Sequence, residues 1–331
     1  MNREKARNED LLAAFAPIQV HDLRKTYPGG VDAVKGIEFE VQAGEVFGLL
    51  GPNGAGKSTT IGMLTTTVLP TSGMARVSGH DVLADPIGAR RASAVVFQEA
   101  VVDKSLTGRR NLDIHARLWG LTSVEAKTRT AEIVDSFGLA EIIDRTVASY
   151  SGGQRRRLEI ARSLVSRPRV LFLDEPTVGL DPRIRYELLD VIGGLRDRDE
   201  MTIMLTTHYL DEAERLCDRI AIVHNGLIVA LDSPGALLRA LGEQIVELRV
   251  DRDVDAVLSF LLAHGAAGDD AFVVGSTVTV PLRGGSAGQV IDAVTEFGAH
   301  VTATTTRQPT LDDVYLRLTG NSLASLASLA A

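Results

Sequence analysis

The run Gly51-Pro52-Asn53-Gly54-Ala55-Gly56-Lys57-Ser58 ends a glycine-rich stretch on a lysine and a hydroxyl. That spacing, G-x-x-x-x-G-K-S, suits a loop that wraps the phosphates of a nucleotide. Glycine lets the backbone approach phosphate oxygens, Lys57 brings a mobile point charge to the β- and γ-phosphates, and the Ser58 hydroxyl can hold Mg²⁺. Upstream, Val46–Leu50 is a short apolar run of buried-strand type. Downstream, Ser58, Thr59 and the residues to Leu64 can open a helix whose first amides point at anions. The ligand implied is a nucleoside triphosphate with Mg²⁺.

Two further groups could share in the chemistry. Val170-Leu171-Phe172-Leu173-Asp174-Glu175-Pro176 is an apolar strand ending in two carboxylates, the position at which α/β sheets bind ligands. Asp174 suits Mg²⁺ through its hydration shell and Glu175 suits the polarisation of a water attacking the γ-phosphate, unless the pair only complements a helix dipole. Ser151-Gly152-Gly153-Gln154 precedes an apolar-periodic stretch and so begins a helix, as a simple cap or as a second anion site. The phosphate loop already serves one nucleotide, so the second site would serve the nucleotide of another subunit.

The elements that must position these groups alternate between strand and helix. Strand-like Val46–Leu50, Ala94–Phe97, Val170–Leu173 and Ile203–Leu205 are separated by polar helical stretches, predicting an α/β fold with a mainly parallel sheet and crossover helices. Asn225-Gly226 between two β-type runs predicts a hairpin. From about Gln244 the rhythm becomes β-α-β-β-α-β with a closing helix near Thr310, a small α+β domain expected over 241–320 as an accessory or dimerisation unit. Residues 1–16 read as a leader and 321–331 as a flexible tail.

Composition narrows the function. With 331 residues there is room for two domains, and a formal charge of −8 gives no global basic field for nucleic acid. Cys217 is the single cysteine, no N-terminal stretch has the makeup of a secretory signal, and no segment reads as a bilayer span. A cytosolic location is expected.

The ordered set of motifs resembles the nucleotide-binding subunit of ATP-binding-cassette (ABC) transporters over roughly residues 17–240. It comprises the phosphate loop, Phe97-Gln98-Glu99, Ser151-Gly152-Gly153-Gln154, Asp174-Glu175, Gly179-Leu180-Asp181 and Thr206-Thr207-His208. With the C-terminal domain and Thr310-Leu311-Asp312-Asp313-Val314-Tyr315, the whole chain is similar to daunorubicin-resistance-type ATPases of multidrug exporters. Tyr150 stands where the commonest family form has leucine.

The resemblance implies a cassette with an antiparallel β subdomain and a helical subdomain at about residues 100–166. It implies Tyr27 stacked on adenine, Gln98 at Mg²⁺ or the attacking water, His208 at the γ-phosphate and Asp181 communicating across a dimer. It further implies ATP hydrolysis between two copies of the chain, at the cytoplasmic face of the membrane, driving permease subunits encoded separately. Export of drugs or other amphiphiles is favoured, with lipid or polysaccharide export, or a non-transport cassette ATPase, as alternatives.

Overall fold

The computed structural model describes residues 16–99, 101–199, 201–283 and 285–320. The expected leader, apart from Ala16, and the expected tail lie outside the described residues. The chain divides after Leu231 into two compact units.

In the first unit, β1 (Ile18–Tyr27), β2 (Val31–Val41), β4 (Ser72–Val77) and β5 (His80–Asp81) form an antiparallel sheet in the order β2-β1-β4-β5. A second sheet holds β3 (Val46–Leu50), β6 (Ser93–Val96), β7 (Val170–Asp174), β8 (Thr202–Thr207), β9 (Arg219–His224) and β10 (Leu227–Asp232). Its order is β10-β9-β3-β8-β7-β6, and β3, β6, β7, β8 and β9 run parallel. Every residue of β3, β7 and β8 is buried, which is why these strands read as unbroken apolar runs rather than as alternation. The strand expected at Ala94–Phe97 begins and ends one residue earlier. Asn225 and Gly226 both take positive φ, 49° and 80°, the two-residue turn that matches strand twist and makes β9 and β10 a hairpin.

The helices of this unit are α1 (Lys57–Leu64), α2 (Pro86–Ala92), α3 (Gly108–Leu118), α4 (Ser123–Ser136), α5 (Gly152–Ser163), α6 (Pro182–Asp199) and α7 (Leu210–Leu216). The helices α3, α4 and α5 lie between β6 and β7 in the chain, where a helical subdomain is expected. Each starts on a hydroxyl cap: Thr107 accepts from the Arg110 amide, while Thr122 with Glu125 and Ser151 with Gln154 form reciprocal capping boxes. Tyr150 is buried and its hydroxyl donates to the Ile142 carbonyl at 2.6 Å, a tie that leucine could not make.

The second unit contains α8 (Pro234–Leu241), β11 (Gln244–Val250), α9 (Val254–Ala263), β12 (Phe272–Val274), β13 (Thr277–Leu282), α10 (Ala287–Glu296), β14 (Val301–Arg307) and α11 (Leu311–Thr319). Its sheet is antiparallel in the order β12-β13-β11-β14, the split β-α-β arrangement read from the sequence. Val246, Leu248, Val278 and Val280 of the sheet meet Val257, Leu261, Val290 and Val294 of α9 and α10. The Arg307 guanidinium spans Glu247 and Asp313, fastening β14 to β11 and to the first turn of α11. Residues 232–240, expected in the first domain, fall in the second unit, where α8 packs on α11.

One packing detail of the first unit is pH-sensitive. The Trp119 indole donates to His115 Nε2 at 3.0 Å, and burial with the nearby Arg162 charge pushes the His115 pKa down from 6.5 to about 4. The unfolded chain therefore takes up this proton first, so the contribution is present above about 6.5 and is lost as pH falls toward about 4. His115→Gln keeps an acceptor for Trp119 but does not titrate. Its unfolding free energy, measured by urea denaturation, should fall less than the wild type's between about pH 7.5 and about pH 5, by on the order of 1 kcal/mol after screening. Equal falls in the two proteins would contradict this.

Candidate active site

The parallel register brings three strand ends together. Leu50 of β3 lies opposite Thr207 of β8, and Asp174 of β7 opposite Thr206, so the chain leaves β3, β7 and β8 along one carboxyl edge. From Leu50 it enters the glycine loop, pinned by the Gly51 amide to the Thr207 carbonyl at 3.4 Å. A Cβ on Gly51 would lie 2.3 Å from the Val223 carbonyl oxygen, and one on Gly56, where φ is +107°, would lie 2.4 Å from that of Ala33. Both positions are closed to any side chain. Gly56 caps α1 without a side-chain bond, which leaves the first helix amides free of a side-chain acceptor, as an anion site requires.

Five predicted residues meet here. The Lys57 ammonium is buried and donates to the carbonyls of Gly51 at 2.8 Å and Pro52 at 3.1 Å, while Glu175 Oε1 lies 3.2 Å away. Ser58 Oγ donates to Asp174 Oδ1 at 3.0 Å. His208 Nδ1 is 3.4 Å from Glu175 Oε1 but buried without a hydrogen bond among the described residues. Burial pushes the Lys57 pKa down against the pull of Glu175 and Asp174. For Glu175 burial acts upward, yet His208 and Lys57 outweigh it and hold the carboxyl below its ordinary value. The carboxylate is thus ionised at neutral pH.

Glu175 also sits at φ 45°, a left-handed conformation that a non-glycine residue keeps only where its surroundings enforce it. Thr206, fully buried, supplies part of that enforcement: its hydroxyl accepts from the Glu175 amide at 2.9 Å and donates to Asp174 Oδ1 at 2.6 Å. The buried Glu212 carboxylate accepts from Thr177 and from Thr207, the residue before His208, and burial raises its pKa. These two positioning residues were missed from sequence. Their signal was a polar side chain where full burial is expected: a threonine ending an apolar strand, and a glutamate on the apolar face of α7.

The donor chemistry fits a hard cation. Ser58 and Asp174 place a hydroxyl and a carboxylate oxygen in contact, the ligand types that Mg²⁺ prefers.

The remaining predicted residues lie apart from this cluster. Tyr27 reaches α1, its hydroxyl 3.4 Å from Thr59 Oγ1, with the Lys25 ammonium 5.0 Å from its ring centroid. Gln98 is exposed. Ser151 and Gly152 are exposed at the start of α5, where Ser151 and Gln154 satisfy each other, and Gly153 is buried against Ile184. Asp181 accepts from the Ile184 amide at 3.1 Å and so caps α6. Among the described residues, none of these side chains bonds to Lys57, Asp174, Glu175 or His208.

The chain is similar to known proteins. Residues 34–178 match the family model described as ABC transporter. The chain is 42% identical over 310 residues to the daunorubicin/doxorubicin resistance ATP-binding protein DrrA of Streptomyces peucetius, covering 92% of each chain. It is 38% identical over 330 residues to the doxorubicin resistance ATP-binding protein DrrA of Mycobacterium tuberculosis, covering 98% of each. Among solved structures, cbiO1 of Clostridium perfringens, part of an ABC transporter complex, aligns with a TM-score of 0.64 and 25% identity over 76% of this chain and 96% of its own. Motif order, sheet topology and full-length relatives agree, and the chain belongs to the ABC transporter family as an ATPase subunit.

Proposed function

We propose that this chain drives the export of drug-like amphiphiles through separately encoded permease subunits, working as a pair of copies at the cytoplasmic face of the membrane. One observation carries the paired reading: Lys57, Ser58, Asp174, Glu175 and His208 gather at one sheet edge, while Ser151 and Gly152 lie exposed at a helix start that touches none of them. Such a chain offers two half-sites, one for its own ATP and one for its partner's.

Phosphate oxygens compete for the ammonium protons that Gly51, Pro52 and Glu175 hold on Lys57. Binding would therefore loosen Lys57 from Glu175 and leave the carboxylate free to take a proton from the attacking water. His208, with an uncommitted Nδ1 beside Glu175, would orient that water and meet the γ-phosphate. Mg²⁺, held by Ser58 and Asp174, would neutralise charge on the phosphate oxygens. The amides of Gly54, Gly56 and Thr59 would supply backbone donors, Tyr27 the ring for adenine and Gln98 the link toward the permease, with Gly51 and Ala55 shaping the loop. Asp181, exposed at the start of α6, would report to the partner copy.

Two observations support the permease. No helix among the described residues is long and apolar enough to cross a membrane, which accords with a cargo path supplied by permease subunits. A cleft of about 510 Å³ lined by Ile87, Arg90, Phe97, Val101, His115 and Trp119 opens beside the Gln98 segment, with Ile87 and Val101 exposed. The cargo class rests on the relatives, and substrate-stimulated ATPase of the reconstituted complex, compared for drugs, lipids and polysaccharides, tests it.

Glu175→Gln should retain ATP binding, lose roughly 100-fold or more in turnover and accumulate a closed dimer visible by light scattering. Near wild-type turnover would remove Glu175 from the chemistry. Lys57→Ala should weaken nucleotide binding, and an unchanged ATP titration would contradict the phosphate role. Thr206→Val, equal in shape but unable to bond Asp174 or the Glu175 amide, should lower kcat about tenfold and stability by about 1–3 kcal/mol. Steady-state kinetics and urea unfolding measure the two.

A further inference from the structure

The helix α5 carries a buried ion pair that the reaction itself does not use. Arg156 and Glu159 are 7% and 3% exposed, one turn apart, with Arg156 Nη1 3.1 Å from Glu159 Oε2. Most of their bonding capacity goes elsewhere. Arg156 Nε donates to the Pro176 carbonyl at 2.7 Å, and its Nη2 to that of Asp174 at 3.1 Å and of Glu175 at 3.4 Å. These three consecutive carbonyls form the turn in which Glu175 sits at φ 45°. Arg156 Nη1 also donates to the Phe97 carbonyl at 2.6 Å, and Glu159 Oε1 accepts from the Val101 amide at 2.5 Å. The pair therefore grips the backbone just before Gln98 and again three residues after it.

A guanidinium with this many acceptors is a fixed connector, because its planar fork loses bonds if any one element shifts. We propose that Arg156 and Glu159 are positioning residues that join α5, the Glu175 turn and the Gln98 segment into one mechanical piece. Movement of α5 as Ser151 meets the partner's ATP then reaches Gln98 and Glu175 together. Neither residue touches the reacting atoms. This rests on the roles proposed above for Ser151, Gln98 and Glu175.

The test uses the full-length protein and three variants. Glu159→Ala releases the Val101 amide and should raise amide exchange in the peptide containing residues 97–101 at least about threefold, with the phosphate-loop peptide unchanged. Its kcat should fall about tenfold while KM for ATP stays within about twofold, because misplacement of the catalytic groups costs turnover rather than binding. Glu159→Gln keeps an acceptor for Val101 and should recover most of both effects. The exchanged pair Arg156→Glu with Glu159→Arg preserves opposite charges but gives the carbonyls no donor and the Val101 amide no acceptor, so it should remain impaired. Wild-type turnover or exchange in Glu159→Ala, or restoration by the exchanged pair, would overturn the proposal. Glu175→Gln run alongside separates the two readings. If it is inactive while Glu159→Ala is normal, the positioning role alone fails; if it stays active, the assignment of Glu175 fails first.

Discussion

Glu175 must keep its charge beside Asp174 where little water reaches it, and the polar structure around the sheet edge follows from that requirement. An isolated buried carboxylate would take up a proton rather than remain charged. Here Glu175 is balanced by Lys57 and flanked by His208, while Asp174 receives two hydroxyl donors on one oxygen. The partners arrive from two separate parts of the fold: Lys57 and Ser58 from α1, Thr206 from β8 and His208 just beyond it. The parallel order β3-β8-β7 is what makes those arrivals coincide.

Backbone strain is concentrated at the same point. The left-handed Glu175 carries a cost of order 1–3 kcal/mol, held in place by the Thr206 hydroxyl on its amide and the Arg156 guanidinium on the carbonyls around it. The turn turns the Glu175 carboxylate toward Lys57 and His208 although the preceding strand is buried throughout. A relaxed continuation of β7 would have no reason to place two successive carboxylates in one cluster, since neighbouring strand residues face opposite sides.

How much of this was legible in the sequence depended on whether a residue's role was local. The glycine loop, the Asn225-Gly226 hairpin and the capping residues Ser151 and Gln154 follow from backbone conformations that only certain residue types permit, so they could be read directly. The strand cores were legible because full burial leaves an uninterrupted apolar run. Thr206, Arg156 and Glu212 were not, because each acts through partners more than a turn away in the chain. An arginine in Arg155-Arg156-Arg157 looks solvated until the fold brings the Phe97 and Pro176 carbonyls against one of the three. The second unit begins at Asp232, nine residues before the C-terminal domain expected from 241, because α8 packs on α11, about seventy residues later in the chain.

The contact between Gly153 and Ile184 bears on how two copies of the chain would recognise each other. A Cβ on Gly153 would come within 2.2 Å of Ile184 Cγ2, so the first turns of α5 and α6 touch with no space for a methyl group between them. The exposed tips of those helices, Ser151 and Gly152 on one and Asp181 on the other, are thereby held at one spacing. In the pairing proposed above, a partner copy that approached one tip would meet the other in the same orientation, which would turn two loosely specified contacts into a keyed fit.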